Sequence, residues 1–457
     1  MAAVSEPAKP PSFAEALRVW ARIGLLGFGG PAGQIALMHK ELVERRRWIS
    51  EGRFLHALSY CTLLPGPEAQ QLATYIGWLL HGTPGGLAAG TLFVLPGFLV
   101  VLALSILYAL HGDLPAAQAA LFGLKAAVLA IVVEALLRVG KRALRSPFLV
   151  GLAAAAFASL FLFSVPFPVV VLGAAVCGFV AARVSPTALG PAAAEREAAD
   201  AGAVVDAMAA RGELGHTRPS LARAARVLAV GVVLWAAPIA AVAAHFGTDS
   251  VFFAEGVFFS KAAVVTFGGA YAVLAYVAQQ AVEVFGWLAP GEMIDGLGLA
   301  ETTPGPLILV LEFVGFQGAH RHPQGLAPVA AGILGATLTT WVTFVPCFIW
   351  IFLGAPWIES LRRNASLRAA LSGITAAVVG VIANLTVYFA LHVAFREAAV
   401  REVGPLRILV PTLSTVDVAA IALSCAAAVA MIRFRLSMPI AIAASAAIGA
   451  AWTLGMG

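Results

Sequence analysis

Long apolar runs without a single charge limit this chain more than any motif does. Residues 85–110, 148–182, 323–358 and 436–457 contain no Asp, Glu, Lys or Arg. A helix crosses a bilayer with about 20 apolar residues, so each run is long enough to span. The run 148–182 has Ser164-Val-Pro-Phe-Pro168 at its centre and reads as two short spans around a turn. Further spans are expected at 116–138, 226–246, 369–392 and 408–432. Only 12% of the 457 residues are charged, against about 25% in an average soluble domain. The fold class is therefore an all-α polytopic membrane protein in contact with the lipid bilayer. Soluble multidomain enzymes and secreted disulfide scaffolds are excluded. The basic balance, 29 Lys and Arg against 24 Asp and Glu, points to cytoplasmic loops rather than to a nucleic-acid partner. The four cysteines are far apart in apolar stretches, without a CxxC, and suggest neither a metal site nor a disulfide. No cleavable signal peptide is expected in the Ala/Pro-rich first dozen residues.

Two regions do not read as ordinary spans. Residues 12–44 carry Phe28-Gly-Gly-Pro31 in the middle, and residues 54–80 carry Pro65-Gly-Pro67. Each flanking half is too short to cross alone. Ser12-Phe-Ala-Glu15 is a capping-box pattern that starts the first region. Broken helices at membrane depth are tolerated where they are buried in protein or line a cavity.

The second part of the chain repeats the first. At a shift of 239, Phe28-Gly-Gly30 falls on Phe267-Gly-Gly269, Trp48 on Trp287, Gly52 on Gly291, and Pro65-Gly-Pro67 on Pro304-Gly-Pro306. Ala36, Val43, Glu44 and Leu58 also match, and Arg22 meets Lys261. Further on the shift becomes 250: Pro96 falls on Pro346, Gly123 on Gly373, and Ala126-Ala-Val128 on Ala376-Ala-Val378. Three segments follow: a first repeat, 1–183; a polar linker, 184–225, expected to be partly helical and cytoplasmic; and a second repeat, 226–457. The loop after the first Gly-Gly break holds Arg45, Arg46 and Arg47, whereas its counterpart at 279–295 holds Glu283, Glu292 and Asp295 and no base. The positive-inside rule puts the two loops on opposite sides of the membrane. With re-entrant hairpins at the breaks, the repeats become inverted in topology. Arg362, Arg363, Arg433 and Arg435 then fall inside, while the loop with Arg396, Arg401 and Arg407 falls outside, against the trend.

Inverted repeats with broken helices mark secondary transporters whose site lies near the midplane. A breaker followed by a helix start aims free backbone N–H groups and a positive dipole end into the cavity. Four such starts are expected, at Pro31, Ala270, Pro67 and Pro306, and the geometry favours an anion. The expected substrate-binding set is Arg22, Gly29, Gly30, Gln34, Pro65, Gly66, Pro67 and Gln70, with Lys261, Gly268, Gly269, Thr303, Pro304, Gly305 and Pro306 in the second repeat. Arg22 and Lys261 would supply full charges or snorkel to the interface. Gln34, Gln70, Gln71, Thr302 and Thr303 would donate to oxyanion oxygens or join helices. Glu68 and Glu301 are the candidate proton-coupling groups, capping being the alternative for Glu68; Glu312 is open to the same reading. Lys125 would pair with Glu134 or meet substrate, and Glu134 would pair with Arg138 at i,i+4. Trp48 and Trp287 read as interface anchors. His81, His111, His320 and His322 read as solvated loop-edge groups. No catalytic constellation, metal-ligand spacing or Walker loop is visible, so no cofactor, enzyme activity or ATP-driven pumping is expected. Composition is compatible with a homodimer.

FGGPAGQI (28–35), RRRWISEGRFLHAL (45–58), LLPGPEAQQLATYIGW (63–78), and the second-half FGGAYAVL and TTPGP resemble the chromate ion transporter family, in its long, two-domain kind. The likeness covers most of the chain apart from the linker. It implies export of chromate from the bacterial cytoplasm across the inner membrane, with resistance to chromate. Sulfate is the structural mimic of that tetrahedral dianion. The second half departs from the family pattern: Ala270 replaces the proline after Gly-Gly, and Leu307 stands where Glu68 stands. The potential, negative inside, favours anion exit by about 2.3 kcal/mol per charge per 100 mV, so efflux is compatible with no coupling ion or with proton antiport. A permease for sulfate or another oxyanion, and a passive anion channel, stay open as alternatives.

Overall fold

Ser12 starts the first helix as its cap, its hydroxyl accepting the Glu15 N–H at 3.2 Å. In the computed structural model, which describes residues 10–28, 30–184, 203–267, 270–289, 291–357, 365–395, 397–403 and 406–455, that helix is α1 (Phe13–Leu26). The chain breaks after it, resumes as α2 (Gly30–His39) and ends in a turn of π-helix, Lys40–Arg45. α3 (Glu51–Cys61) leads into Pro65-Gly-Pro67 and then α4 (Glu68–His111). α4 is broken at His81 and Gly82, where Gly82 takes φ 62° and ψ −154°, so 68–81 is a half-helix and 83–111 the span. α5 (Pro115–Ala143) is followed by the pair α6 (Pro147–Phe163) and α7 (Phe167–Val184). Their turn falls at Ser164, in the left-handed region with φ 49°, as the sequence leads one to expect.

The linker folds in part as α8 (Val204–Ala210). It is tied to the Arg-rich loop: Val204 and Val205 donate to the carbonyls of Arg47 and Trp48, and Arg53 pairs with Asp206 at 2.9 Å. After α9 (Leu221–Phe246) the pattern recurs: α10 (Val251–Val265), α11 (Ala270–Gln279) with a π-helical turn at Gln280–Val284, α12 (Glu292–Glu301), α13 (Val310–Arg321) and α14 (Pro328–Gly354). The backbone matches down to single bonds. Trp48 N–H donates to the Leu42 carbonyl, and Trp287 N–H, at the shift of 239, donates to the Ala281 carbonyl, both at 2.8 Å.

α15 (Ala365–Ala394) precedes a β-hairpin, β1 (Ala398–Val403) paired antiparallel with β2 (Leu406–Pro411), and then α16 (Val418–Ile432) and α17 (Met438–Gly455). The hairpin corrects the expected span 408–432, whose helix begins only at Val418. Leu406 to Pro411 pairs as a strand because alternating Leu, Ile and Val suit a pleated ribbon. Six of the described helices are long and apolar enough to cross a membrane, and the chain is a multi-pass membrane protein.

Two packed groups result. In one, α4 lies against α1, α13 and α14, and α14 against α9, α10 and α13. In the other, α5 packs on α16 and α17 while α15 packs on α6 and α7. Small residues set these seams. An added Cβ on Gly123 of α5 would strike the Ser445 carbonyl of α17, and one on Gly373 of α15 would strike the Ala174 carbonyl of α7. α4 and α14 run antiparallel: Gly86 lies against Phe352, Gly90 against Phe348, and the Gln317 amide, near the start of α14, donates to the Ser105 carbonyl.

Candidate functional site

The breaks converge at the middle of the α4–α14 pair. Gly66 N–H donates to the Thr266 carbonyl at 2.7 Å, and Gly305 N–H donates to the Gly27 carbonyl at 3.0 Å. These two bonds are one bond made twice, since 27 and 266, and 66 and 305, are each 239 apart. Gly66 and Gly305 take φ 122° and 94°, where only glycine sits without strain. Each Pro-Gly-Pro turn also touches the long span of the other half. Gly66 lies against Cys347, its added Cβ 2.7 Å from the sulfur, while Gly305 lies against Gly97, its added Cβ 3.2 Å from the Gly97 Cα.

Gln34 is the strut of this crossing. Its amide nitrogen donates to the Gly27 carbonyl at 3.1 Å and to the Gly305 carbonyl at 2.5 Å. A small cavity opens beside it, lined by Pro31, Gln34, Pro67, Glu68, Ala69, Pro306, Leu307 and Ile308. Three of the four expected helix starts therefore meet in one place. Pro67 and Pro306 stand one residue before the helical turns and cap them, instead of occupying the first helical position. The turns that begin after the two caps, at Glu68 and at Leu307, aim the N-terminal ends of their backbone dipoles at this cavity. They present partial positive charge at the cavity wall. Glu68 brings a half-buried carboxyl to the same wall.

Other expected site residues lie elsewhere. Arg22 and Lys261 are exposed on the outer faces of α1 and α10 and do not line the cavity. The Gln70 amide donates to the Thr74 hydroxyl at 3.0 Å and that of Gln71 to the Pro65 carbonyl at 2.8 Å, so both are spent on local bonds. Thr303 donates to the Ala300 carbonyl, and Thr302 to that of Leu299. Glu301 is buried and accepts from the Tyr271 hydroxyl at 2.5 Å. Gly30 takes φ 64° at the start of α2. Gly29, Gly268 and Gly269 lie outside the described residues, as do Arg362, Arg363 and Arg396.

Lys125 pairs with Asp295 at 3.2 Å, which also accepts from the Tyr108 hydroxyl, while Glu134 takes Arg138. The expected pairing of Lys125 with Glu134 is not the observed one, because Asp295 reaches it from another helix. Trp48 and Trp287 are buried core residues instead of interface anchors; Trp287 packs among Phe258, Phe259 and Phe285. The His81 ring bonds the Pro11 carbonyl at 2.9 Å. In the Arg-rich loop, Glu41 is buried between Arg45 and Arg46. Burial pushes its carboxyl up, the two guanidiniums outweigh that, and the group stands below the usual carboxylate value.

Sequence reasoning missed the Gly27 and Thr266 carbonyls and the contact residues Gly97 and Cys347. The signal was present: Gly97 and Cys347 each follow the matched prolines Pro96 and Pro346.

The same segments carry the relationship to known proteins. The chain is 34% identical over 393 residues to a chromate transport protein of Pseudomonas aeruginosa, covering 84% of this chain and 83% of the relative. It is 28% identical over 371 residues to a chromate transport protein of Cupriavidus metallidurans, covering 81% and 80%. An uncharacterized transporter of Methanocaldococcus jannaschii is 25% identical over 374 residues, covering 81% and 83%. No solved structure gives a significant match. The family model described as "Chromate transporter" matches residues 14–179 and 254–450, so both breaks of each half lie within it, and the chain belongs to the chromate transporter family.

Proposed function

We propose that this chain is a secondary transporter that exports chromate from the cytoplasm across the bacterial inner membrane and so confers resistance to chromate. The observation that carries the reading is the reciprocal crossing, Gly66 to Thr266 and Gly305 to Gly27, around a cavity walled by helix starts of both halves. A tetrahedral oxyanion suits such a wall, because preset N–H groups replace its hydration shell without a fixed cation.

Inverted topology is supported by where the hairpins open. Pro11 meets His81, so the start of α1 lies where the second part of α4 begins. Arg321 bonds Glu292 and the Trp287 carbonyl, so the corresponding end of the second half lies where α14 begins. Those are opposite ends of an antiparallel pair. α5 packs on α12 and α15 on α11, while α2 and α3 have no comparable cover among the described residues. The cavity is then approached from the side of Arg45 to Arg47, the cytoplasmic side by the positive-inside rule. Rocking of the α5–α7 and α15–α17 group onto α2 and α3 would open the other side. Glu68 and a dianion repel each other at such a wall, so oxyanion binding and protonation of Glu68 are coupled in this scheme. Glu301 is the second coupling candidate, and Arg22 and Lys261 act at the approaches.

The test is cellular chromium content. Bacteria lacking other chromate exporters are loaded with chromate, with and without this chain and with and without excess sulfate. Lower content with the chain, little changed by sulfate, is expected. Equal or higher content contradicts export.

A further inference from the structure

The second half contains a column of buried polar groups that the scheme above does not use. Glu255 of α10 and Glu312 of α13 are 0% and 1% exposed, and Thr339 of α14 is 0% exposed. Among the described residues the Glu312 carboxyl and the Thr339 hydroxyl have no hydrogen-bond partner, and the Glu255 carboxyl has no side-chain partner, only the Ala319 backbone N–H beside it. Glu255 is cradled by two glycines: an added Cβ on Gly318 would lie 2.8 Å from one carboxyl oxygen, and one on Gly335 would lie 2.8 Å from the other. One turn deeper, Gly315 gives its Cβ space to the Thr339 hydroxyl. One turn deeper again is Glu312, on the face of α13 that carries Gly315 and Ala319 against α14. Ile308, four residues before Glu312, lines the central cavity. The three groups thus descend the α13–α14 seam from the end of α13 towards the site.

The fold does not require this column. At the shifts of 239 and 250, the first half has Ala16, Ala73 and Ala89 in place of Glu255, Glu312 and Thr339, all three buried. An apolar seam therefore serves equally well in the same architecture. Burying a carboxyl without an ion-pair partner is among the costlier things a membrane protein does, and here it is done twice on one seam.

Charged neighbours on the packed helices are committed elsewhere. Arg321 is held by Glu292, Asp295 by Lys125 and Glu301 by Tyr271. His320 stacks on Phe316, and Lys261 of α10 is exposed. Among the described residues no cation pairs with either carboxyl, and neutral acids fit the apolar cradle.

From these placements we infer that Glu255, Thr339 and Glu312 form a proton path from the outer end of α13 to the central cavity, and that the ligand of this path is the proton exchanged against the exported oxyanion. Each carboxyl takes and releases a proton in turn, with the threonine hydroxyl passing it between them. This deepens the export reading and rests on it.

The test uses full-length protein in liposomes with the potential clamped by potassium and valinomycin. Radioactive chromate is followed in two modes: net flux under a pH gradient, and exchange at equal chromate on both sides. In the wild type, one coupled proton lets a pH gradient accelerate net flux and shifts the chromate ratio reached at steady state about tenfold per pH unit, since proton activity changes tenfold per unit. E255Q, E312Q and T339V are expected to lose that acceleration and to exchange chromate within about twofold of wild type. Acceleration retained in the variants, or absent from a wild type that exchanges chromate, overturns the path. Absence of all chromate exchange in the wild type instead removes the export reading. A second measurement needs no transport: a hydrophobic carbodiimide reacts with protonated buried carboxyls. Peptide mass spectrometry is expected to find Glu255 and Glu312 labelled, and their lack of labelling overturns the path whatever the flux assays show.

Discussion

The two halves share a backbone and differ in what lines it. α3 and α12 occupy matching positions. Leu55 of α3 is 43% exposed where Ile294 of α12 is 0%, and Thr62 is exposed where Glu301 is buried at 3%. The cover on α12 is α5, whose Leu124 and Val128 close over Gly298. Past the turns the contrast runs the other way in chemistry: the first half has Glu68, Gln70 and Gln71 where the second has Leu307, Leu309 and Val310. Both halves hold a crossing turn, but the first presents Gln34 and Glu68 to the cavity and the second has a sheathed, acid-bearing interior. In the proposed scheme the substrate is held on one side of the crossing and the coupling groups lie on the other.

The comparison breaks most sharply at the seams. Gly123→Leu and Gly373→Leu each push a side chain into the backbone of α17 or α7, and overpacking of this kind costs about 3 kcal/mol. Thermal unfolding in detergent should show both losses. Tolerance of one and not the other would mean the seams are not equivalent.

Gln34→Leu comes next. Val273 occupies the matching position in the second half, so only one strut exists. Its removal leaves the Gly305 carbonyl without that donor, a cost of about 1–3 kcal/mol, and chromate flux should fall with stability. Val273→Ala should affect packing and leave the crossing bonds intact, so equal flux losses in the two variants would deny Gln34 its role.

Acid sensitivity sharpens the contrast further. Glu41 is held below its ordinary value of 4.5, so its contribution is fully present above about pH 4.5 and is lost as pH falls through the lower, folded value. Gln280 stands there in the second half. Glu41→Gln should flatten the acid limb of unfolding measured by fluorescence. An unchanged limb would locate the sensitivity elsewhere.

Arg22→Ala and Lys261→Ala should be the mildest. Exposed charges act through screened steering, so flux should drop by about threefold or less and the drop should shrink in salt. A salt-independent loss of all flux would put the cation in contact with substrate.

Much of this was legible in the chain before its structure. The spans, the broken segments and the paired turns follow from charge-free runs and from Gly and Pro at constant shifts, because backbone geometry is local and those residues fix it. The hairpin at 398–411 was not legible, since alternating apolar residues such as Leu406 to Pro411 serve a strand or a helix end alike. Partner choice was least legible. Lys125 met Asp295, and Gln34 met Gly27 and Gly305, across distances that only tertiary packing sets. Glu255 gave no signal at all, because its meaning lies in the glycines opposite it.

The most direct measurement is chromate accumulation by inside-out membrane vesicles that contain this protein, made with and without an imposed potential and compared with empty vesicles. Protein-dependent accumulation that rises with the potential and is only weakly blocked by sulfate is the predicted result. Vesicles that accumulate sulfate but no chromate, or that lose chromate faster than empty ones under the same potential, would contradict the account.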